Sequence, residues 1–452
     1  MEKSQKKFKK MKENIEEMKD SVTKTTLSED SSSVKMKLID LKFEKEHQFV
    51  PRDSYFDLCL DNTILQKSEF KGFFNLFGVL MIFYIITTPI YNMVIHNIPF
   101  KMTMFYKMIH DFEILLIVWP LFHFWTYLAY LLQCLILRGM PISFTHVFQH
   151  TTQIGIFIIT TIICLISNMC TTHKMFTLTQ CMIHFFKMHS YTVQNRNYRE
   201  NMLMHKKDES VELISSYPSN ITFSNFFYFL KAPTFVYEEK YPQTQSFRLS
   251  YLLMKILYAF ASLIILYYIY TEHMEVYLKH LLEEKLFVLI IKLYLPCTVF
   301  VLILFFLIFE CVLPGYAEIA CFADRQFYED WWNSTDLEEF NRKWNKVVHE
   351  FLYRHVYVEC IKRYKMSKNM ARFCTFFFSA ALHEYCLSMI FKMIRPILLG
   401  LMILQIPLIV IGKRYLKHTT FGNYFFWFSI VFGISLLFVL YNREYYTIYG
   451  DQ

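Results

Sequence analysis

Residues Phe373–Phe391 read FCTFFFSAALHEYCLSMIF, an apolar run of membrane-crossing length with an imidazole and a carboxylate, His383 and Glu384, near its middle. A hydrocarbon core of ~30 Å takes about 20 mainly apolar residues of helix. A charged side chain at that depth costs at least ~2.5–3.5 kcal/mol, so an ionisable pair there marks function by default. The competing reading of a membrane histidine is a hydrogen bond between helices. Similar runs recur outward from this one, with charges pushed to their edges: Gly72–Ile95, Ile114–Leu137, Ile154–Cys170, Leu249–Tyr270, Leu286–Phe309, Ile397–Ile411 and Phe421–Tyr441. These eight spans predict an all-α polytopic membrane protein.

Composition agrees. The 452 residues are 54 % hydrophobic and only 19 % charged, against roughly 45–50 % and about 25 % in soluble chains. The excess apolar surface must face lipid. No two of the 10 glycines stand one residue apart, so GxGxxG nucleotide folds are excluded. None of the 16 histidines has Asp five positions on, and GxSxG is absent, which removes the soluble HxxxxD acyltransferases and the nucleophile elbow. The 11 cysteines form no CxxC pair and read as core residues, with no metal site among them.

A ninth run, Met175–Phe186, is short and contains Gln180 and His184; parity decides it. The loop from Glu310 to Arg372 is rich in arginine and lysine, and basic loops favour the cytosol. The tail over residues 1–48 reads as disordered and cytosolic, not as a signal peptide: Lys3, Lys6, Lys7, Lys9 and Lys10 precede an acidic-serine stretch, Ser28–Ser33. Its lysines either touch acidic headgroups or are simply solvated. Two cytosolic segments need an even number of crossings between them, so Met175–Phe186 becomes the sixth of nine spans, inside the bundle. The same count places Lys413, Arg414 and Lys417 in the cytosol, Glu272–Lys285 in the lumen, and the sequon at Asn333 on the side where it stays unmodified.

Upstream of His383 stands Phe327-Tyr328-Glu329-Asp330-Trp331-Trp332-Asn333, with Trp344 and Asn345 following at a distance of twelve residues from Asn333 to Asn345. Tryptophans beside charges suit a helix at headgroup level. An imidazole in a water-poor site, with an asparagine amide to reach it, also suits acyl transfer to an alcohol. A transporter using His383 and Glu384 as a proton relay, with Lys255 and Lys292 as partners, would predict an internal repeat, and none is present.

FYEDWWN, Asn345 and His383 in that order resemble the membrane-bound O-acyltransferase (MBOAT) superfamily, in its acyl-CoA:sterol and acyl-CoA:diacylglycerol branch. Ala323-Asp324-Arg325, Pro233–Tyr237 with Tyr241-Pro242, and Leu382–Tyr385 also match it. The resemblance covers Phe49 to Tyr446 and makes residues 49–452 one MBOAT transmembrane domain. Lys187-Met188-His189-Ser190 is similar to the sterol acyltransferases, while Gln405-Ile406-Pro407 and Gly422-Asn423 are shared with the diacylglycerol enzymes. The resemblance implies transfer of a long-chain fatty acyl group from acyl-CoA, a co-substrate and not a cofactor, to a sterol 3-hydroxyl, or alternatively to diacylglycerol. It implies His383 as general base, Asn345 as second catalytic residue and Glu384 in a supporting role. It places His349, Tyr357, Lys368, Arg372 and Ser379 against coenzyme A, although one extra residue between Tyr357 and Lys368, relative to the diacylglycerol enzymes, weakens the match at Lys368. Phe327, Tyr328, Asp330, Trp331, Trp332, Asn333 and Trp344 form the substrate-binding motif. It also implies an endoplasmic reticulum location, a homodimer or homotetramer, and no nucleic acid partner.

Overall fold

The computed structural model describes residues 48–60, 71–102, 106, 109–278 and 280–450. The expected N-terminal tail with its lysine tract lies, apart from residue 48, outside them. Among the described residues the chain is helical, with two isolated bridges, Arg52 to Asp324 and Gln243 to Phe322, as its only β pairing. The helices are α1 (Tyr55–Leu60), α2 (Lys71–His96), α3 (Phe112–Leu137), α4 (Ile142–Ile166), α5 (Thr171–Lys207) and α6 (Phe223–Lys231). There follow α7 (Leu249–Leu278) and α8 (Leu286–Ile319), each continued through a π-helical turn. The remainder are α9 (Leu337–Lys343), α10 (Lys346–Leu352), α11 (Lys368–Phe391), α12 (Ile397–Leu416) and α13 (Thr420–Tyr449).

Eight of these, α2, α3, α4, α7, α8, α11, α12 and α13, are long and apolar enough to cross a membrane, and they coincide with the eight runs read from the sequence. The largest shift of boundary is in α4, which starts at Ile142 and not at Ile154. Its first turns carry Thr145, Gln149 and Gln153 on the face that packs into the protein, and hydropathy discounts polar residues wherever they point. The ninth run lies within α5, a helix of 37 residues. Its buried face holds His173, Lys174, Thr177, His184, Lys187 and Ser190, and it packs against α3, α4 and α11. A helix lined by protein needs no apolar coat, which is why its hydropathy falls short.

Lipid contributes no hydrophobic drive between helices, so packing and polar contacts hold them together. Ile265, Leu266, Leu289, Leu293, Cys297 and Val439 interlock α7, α8 and α13. Around α5, Met188, Tyr191 and Tyr198 meet Phe226, Phe229 and Tyr237. By contrast Leu80, Phe83, Ile86 and Val94 of α2 stay exposed, the surface expected against acyl chains.

Candidate active site

Helix α11 begins at Ser367, whose hydroxyl accepts from the Met370 N–H and so satisfies one of the free first-turn donors. Lys368, Arg372, Ser379 and His383 follow at intervals of four, seven and four residues. At 100° per residue these four positions fall within about 60° of one another, and at 1.5 Å per residue Lys368 and His383 are about 22 Å apart. Four of the residues matched to coenzyme A binding and base catalysis therefore share one stripe, with cations at one end and the imidazole at the other. The opposite side carries Ala380, Glu384 and Ser388, all buried, while Lys368, Arg372 and His383 are exposed.

The imidazole is oriented from its own helix. His383 Nδ1 lies 2.7 Å from the Ser379 carbonyl oxygen. A carbonyl can only accept, so the proton sits on Nδ1 and, in the neutral ring, Nε2 carries the lone pair. That is the tautomer a general base requires.

The two residues after His383 anchor the helix in different directions. Glu384 does not serve the imidazole: its carboxylate accepts from Tyr441 Oη of α13 at 2.6 Å and from the Leu399 N–H of α12 at 2.8 Å. Tyr385 Oη lies 2.9 Å from Thr161 Oγ1 and donates to the Phe157 carbonyl of α4 at 3.3 Å. Adjacent side chains point about 100° apart, so both neighbours fasten α11 to other helices while His383 bonds within α11.

Asn345 is built differently. Its Oδ1 accepts from the Val348 N–H at 3.1 Å and caps α10. With the oxygen committed, the amide presents its NH2 edge as a donor. The segment is tied to FYEDWWN through the backbone: the Lys346 N–H donates to the Phe327 carbonyl at 3.0 Å and the Glu329 N–H to the Lys343 carbonyl at 2.9 Å. Phe327, Tyr328 and Trp331 are buried in protein. Trp331 packs against Trp344 at 4.7 Å and Phe305 at 5.2 Å between ring centres. Trp332 and Asn333 are exposed, and the Trp332 carbonyl accepts from Asn423 Nδ2 at 2.9 Å. Beside it, a Cβ on Gly422 would meet the Leu416 and Thr335 carbonyl oxygens, so this close approach requires glycine.

Asp330 of the motif is held in a clamp outside the membrane spans. Lys343 Nζ bonds Asp330 at 3.0 Å and Glu339 at 2.8 Å. Burial works to raise both carboxyls, but the hydrogen bonds from Lys343, and from Asn333 to Asp330, outweigh it and hold both below the usual carboxylate range. Burial alone would lower the Lys343 ammonium; its two carboxylate partners reverse that and raise it.

Beyond Asn345 the chain stays helical to Lys362, and its Tyr353–Tyr357 turn packs against α11. His349, Tyr353 and Tyr357 stack along it, with ring centres 6.2 and 5.4 Å apart. Tyr353 was missed in the sequence, though its i, i+4 spacing from both neighbours was the available signal. On the other face, His355 Nε2 meets Ser190 Oγ at 2.7 Å, and Ser190 accepts from the Tyr237 N–H at the same distance. Burial, with the His189 and Arg354 charges adding, keeps His355 well below the usual histidine range and therefore neutral. Lys187 donates to the Phe229 and Ala232 carbonyls at 2.7 and 2.8 Å. The Lys187–Ser190 and Pro233–Tyr237 matches thus meet each other.

Eight apolar helices packed around a long buried one define a polytopic membrane protein. The model of the MBOAT, membrane-bound O-acyltransferase family, matches residues 102–442, and the chain belongs to that family. It is 35 % identical over 316 residues to a probable sterol O-acyltransferase 2 of Schizosaccharomyces pombe, covering 62 % of this chain and 66 % of that one. It is 34 % identical over 238 residues to a diacylglycerol O-acyltransferase 1 of Dictyostelium discoideum, covering 51 % and 38 %. A sterol O-acyltransferase 2 of Saccharomyces uvarum is 35 % identical over 242 residues, covering 50 % and 37 %. The chain therefore spans between about a third and just under two thirds of the length of these relatives.

Proposed function

We propose that this protein transfers a long-chain fatty acyl group from acyl-CoA to the 3-hydroxyl of a sterol, in the endoplasmic reticulum membrane. The observation that carries the reading is the stripe on α11: Lys368, Arg372 and Ser379 aligned with a His383 whose Nδ1 is spent on the Ser379 carbonyl. The polyanionic coenzyme A headgroup stays at the cytosolic end among Lys368, Arg372, His349 and Tyr357, and the acyl chain runs inward, gaining ~0.8 kcal/mol per buried methylene.

His383 Nε2 takes the hydroxyl proton as the sterol oxygen attacks the thioester carbonyl carbon, and the Asn345 NH2 donates to the developing oxyanion. The carbon–sulfur bond then breaks, the imidazolium returns its proton to the thiolate, and steryl ester and coenzyme A leave. A positioned general base supplies about 10²–10⁴ in rate and one oxyanion donor about 10²–10³; alignment of two lipids in a dry passage supplies much of the rest. Glu384 supports His383 only through the helix. FYEDWWN acts by shaping the loop that bears Asn345.

A second reading has a specific support: a diacylglycerol O-acyltransferase 1 matches at 34 % identity, little different from the sterol enzymes. Membranes bearing the protein, given labelled oleoyl-CoA with either sterol or diacylglycerol, are expected to yield steryl ester on chromatography. Triacylglycerol without steryl ester would assign the acceptor to the second reading, and no ester from either would remove the acyltransferase assignment.

A further inference from the structure

Ahead of the first membrane span, the short stretch from Arg52 to Asp57 is fastened to the FYEDWWN loop by more polar bonds than its exposure requires. The Arg52 guanidinium holds both carboxylate oxygens of Asp324, at 2.9 and 2.5 Å. Its backbone exchanges two hydrogen bonds with the same loop, N–H to the Ala323 carbonyl at 3.0 Å and carbonyl from the Arg325 N–H at 2.7 Å. The Tyr55 ring lies 5.5 Å from Tyr328 and 6.1 Å from Trp332.

Below this contact lies a buried ionic cluster. Lys255 of α7, with a fully buried side chain, donates to Asp57 Oδ1 at 2.8 Å and stands 3.6 Å from Glu310 Oε2 of α8. Tyr251 Oη donates to Asp57 Oδ2 at 2.6 Å. Glu310 receives Ser54 Oγ on Oε2 at 3.0 Å and Tyr328 Oη on Oε1 at 2.6 Å. Each carboxylate oxygen has a donor.

Burying three ions, two of them on membrane helices, gains little stability over a well-packed apolar trio. What a fully satisfied network does supply is direction, because its bonds polarise one another and tolerate one arrangement. Here that arrangement fixes the Tyr328 hydroxyl. Tyr328 is next to Phe327, whose carbonyl takes the Lys346 N–H, one residue beyond Asn345.

We propose that Arg52–Asp57 is a strap, latched by Asp57, Lys255 and Glu310, that sets the position of the Asn345 amide; Glu310 and Tyr328 are positioning residues. This rests on the acyl-transfer reading for its catalytic consequence. A shift of about 1 Å at a reacting group costs up to about a hundredfold in rate, so Glu310→Leu, which removes the acceptor for Tyr328, is expected to lower kcat about ten- to a hundredfold at unchanged KM for acyl-CoA. Glu310→Gln keeps an oxygen for the Tyr328 hydroxyl and is expected to restore most of that loss. In an Asn345→Ala background Tyr328→Phe should add no further loss, since both act through one amide.

The test uses the full chain in lipid nanodiscs, with turnover per folded molecule and amide hydrogen exchange over 344–352 measured together. Faster exchange there in Glu310→Leu, reversed in Glu310→Gln, is the expected result. Exchange unchanged in Glu310→Leu overturns the strap whatever the enzyme does. A loss in Glu310→Leu confined to the yield of folded protein also overturns it. A wild-type protein that esterifies no alcohol removes the acyl-transfer reading and leaves the exchange result to judge the strap.

Discussion

The two groups assigned to chemistry sit in contrasting surroundings. Asn345 lies on a loop gripped from several sides: an aromatic knot of Trp331, Trp344 and Phe305, a Lys343 clamp, and the ionic cluster under Tyr328. His383 has one hydrogen bond, to its own helix, and its helix is fastened by the residues beside it. The difference follows from the backbone. A regular helix fixes a side chain's direction by geometry alone, whereas irregular chain must be held by side chains and by satisfied backbone groups. Distant substitutions should therefore reach Asn345 far more readily than His383.

The most severe test of that contrast is His383 itself. His383→Ala removes the imidazole from the stripe and is expected to lower turnover by about 10²–10⁴, with melting temperature and acyl-CoA binding near those of the wild type, because the side chain is exposed and its hydrogen bond stays within its own helix. Near-normal ester formation in that variant would break the mechanism. Asn345 should behave in two separable ways. Asn345→Asp keeps the oxygen that caps α10 but loses the NH2 donor, so kcat should fall by about 10²–10³ at unchanged stability. Asn345→Ala loses the cap as well, at a further cost of about 1 kcal/mol in stability. Equal turnover in the wild type and Asn345→Asp would remove the oxyanion role.

Anchors of α11 come next in size. Tyr441→Phe takes one donor from the buried Glu384 carboxylate and should destabilise the fold by about 1–3 kcal/mol, read as a lower thermal midpoint in detergent. The loss of turnover should be much smaller than for His383→Ala or Asn345→Asp. A turnover loss matching that of His383→Ala, without a change in stability, would mean that Glu384 acts on the imidazole directly.

Much of this could be read from the chain before its fold was seen, and the failures have physical causes. The eight lipid-facing spans were legible because lipid imposes one rule on every residue that meets it. Hydropathy alone left α5 ambiguous, since Lys174, His184 and Lys187 are buried in protein and lower a hydropathy that knows nothing of direction; it was the parity of crossings that put its Met175–Phe186 run inside the bundle. His383 and Asn345 came from motif order, and the alignment of Lys368, Arg372 and Ser379 with His383 was present in their spacing. The state of the two groups assigned to chemistry was not, because it depends on which atom the Ser379 carbonyl and the Val348 N–H occupy. Least legible was the cluster of Asp57, Lys255 and Glu310: residues so far apart in sequence share a site only after α7 and α8 have packed.

The smallest expected effect sharpens the comparison from the loop side. Asp330 and Glu339 are held below their usual range by Lys343, so their contribution to stability is complete above the ordinary carboxylate pKa of about 4 and is lost as the pH falls through their lower folded-state values. Lys343 is shifted the other way, and its contribution fades only as the pH rises past its own raised value, above about 10.5. Lys343→Met should therefore lower the thermal midpoint by a constant amount from about pH 8 to pH 5, and by progressively less below about pH 4, as the wild type loses what the variant never had. Because this clamp sits on the loop bearing Asn345 and not on α11, kcat should fall with the midpoint at neutral pH while acyl-CoA binding along the α11 stripe holds. A midpoint difference independent of pH down to 3 would show that Lys343 acts through packing of its methylene stem and not through its charge.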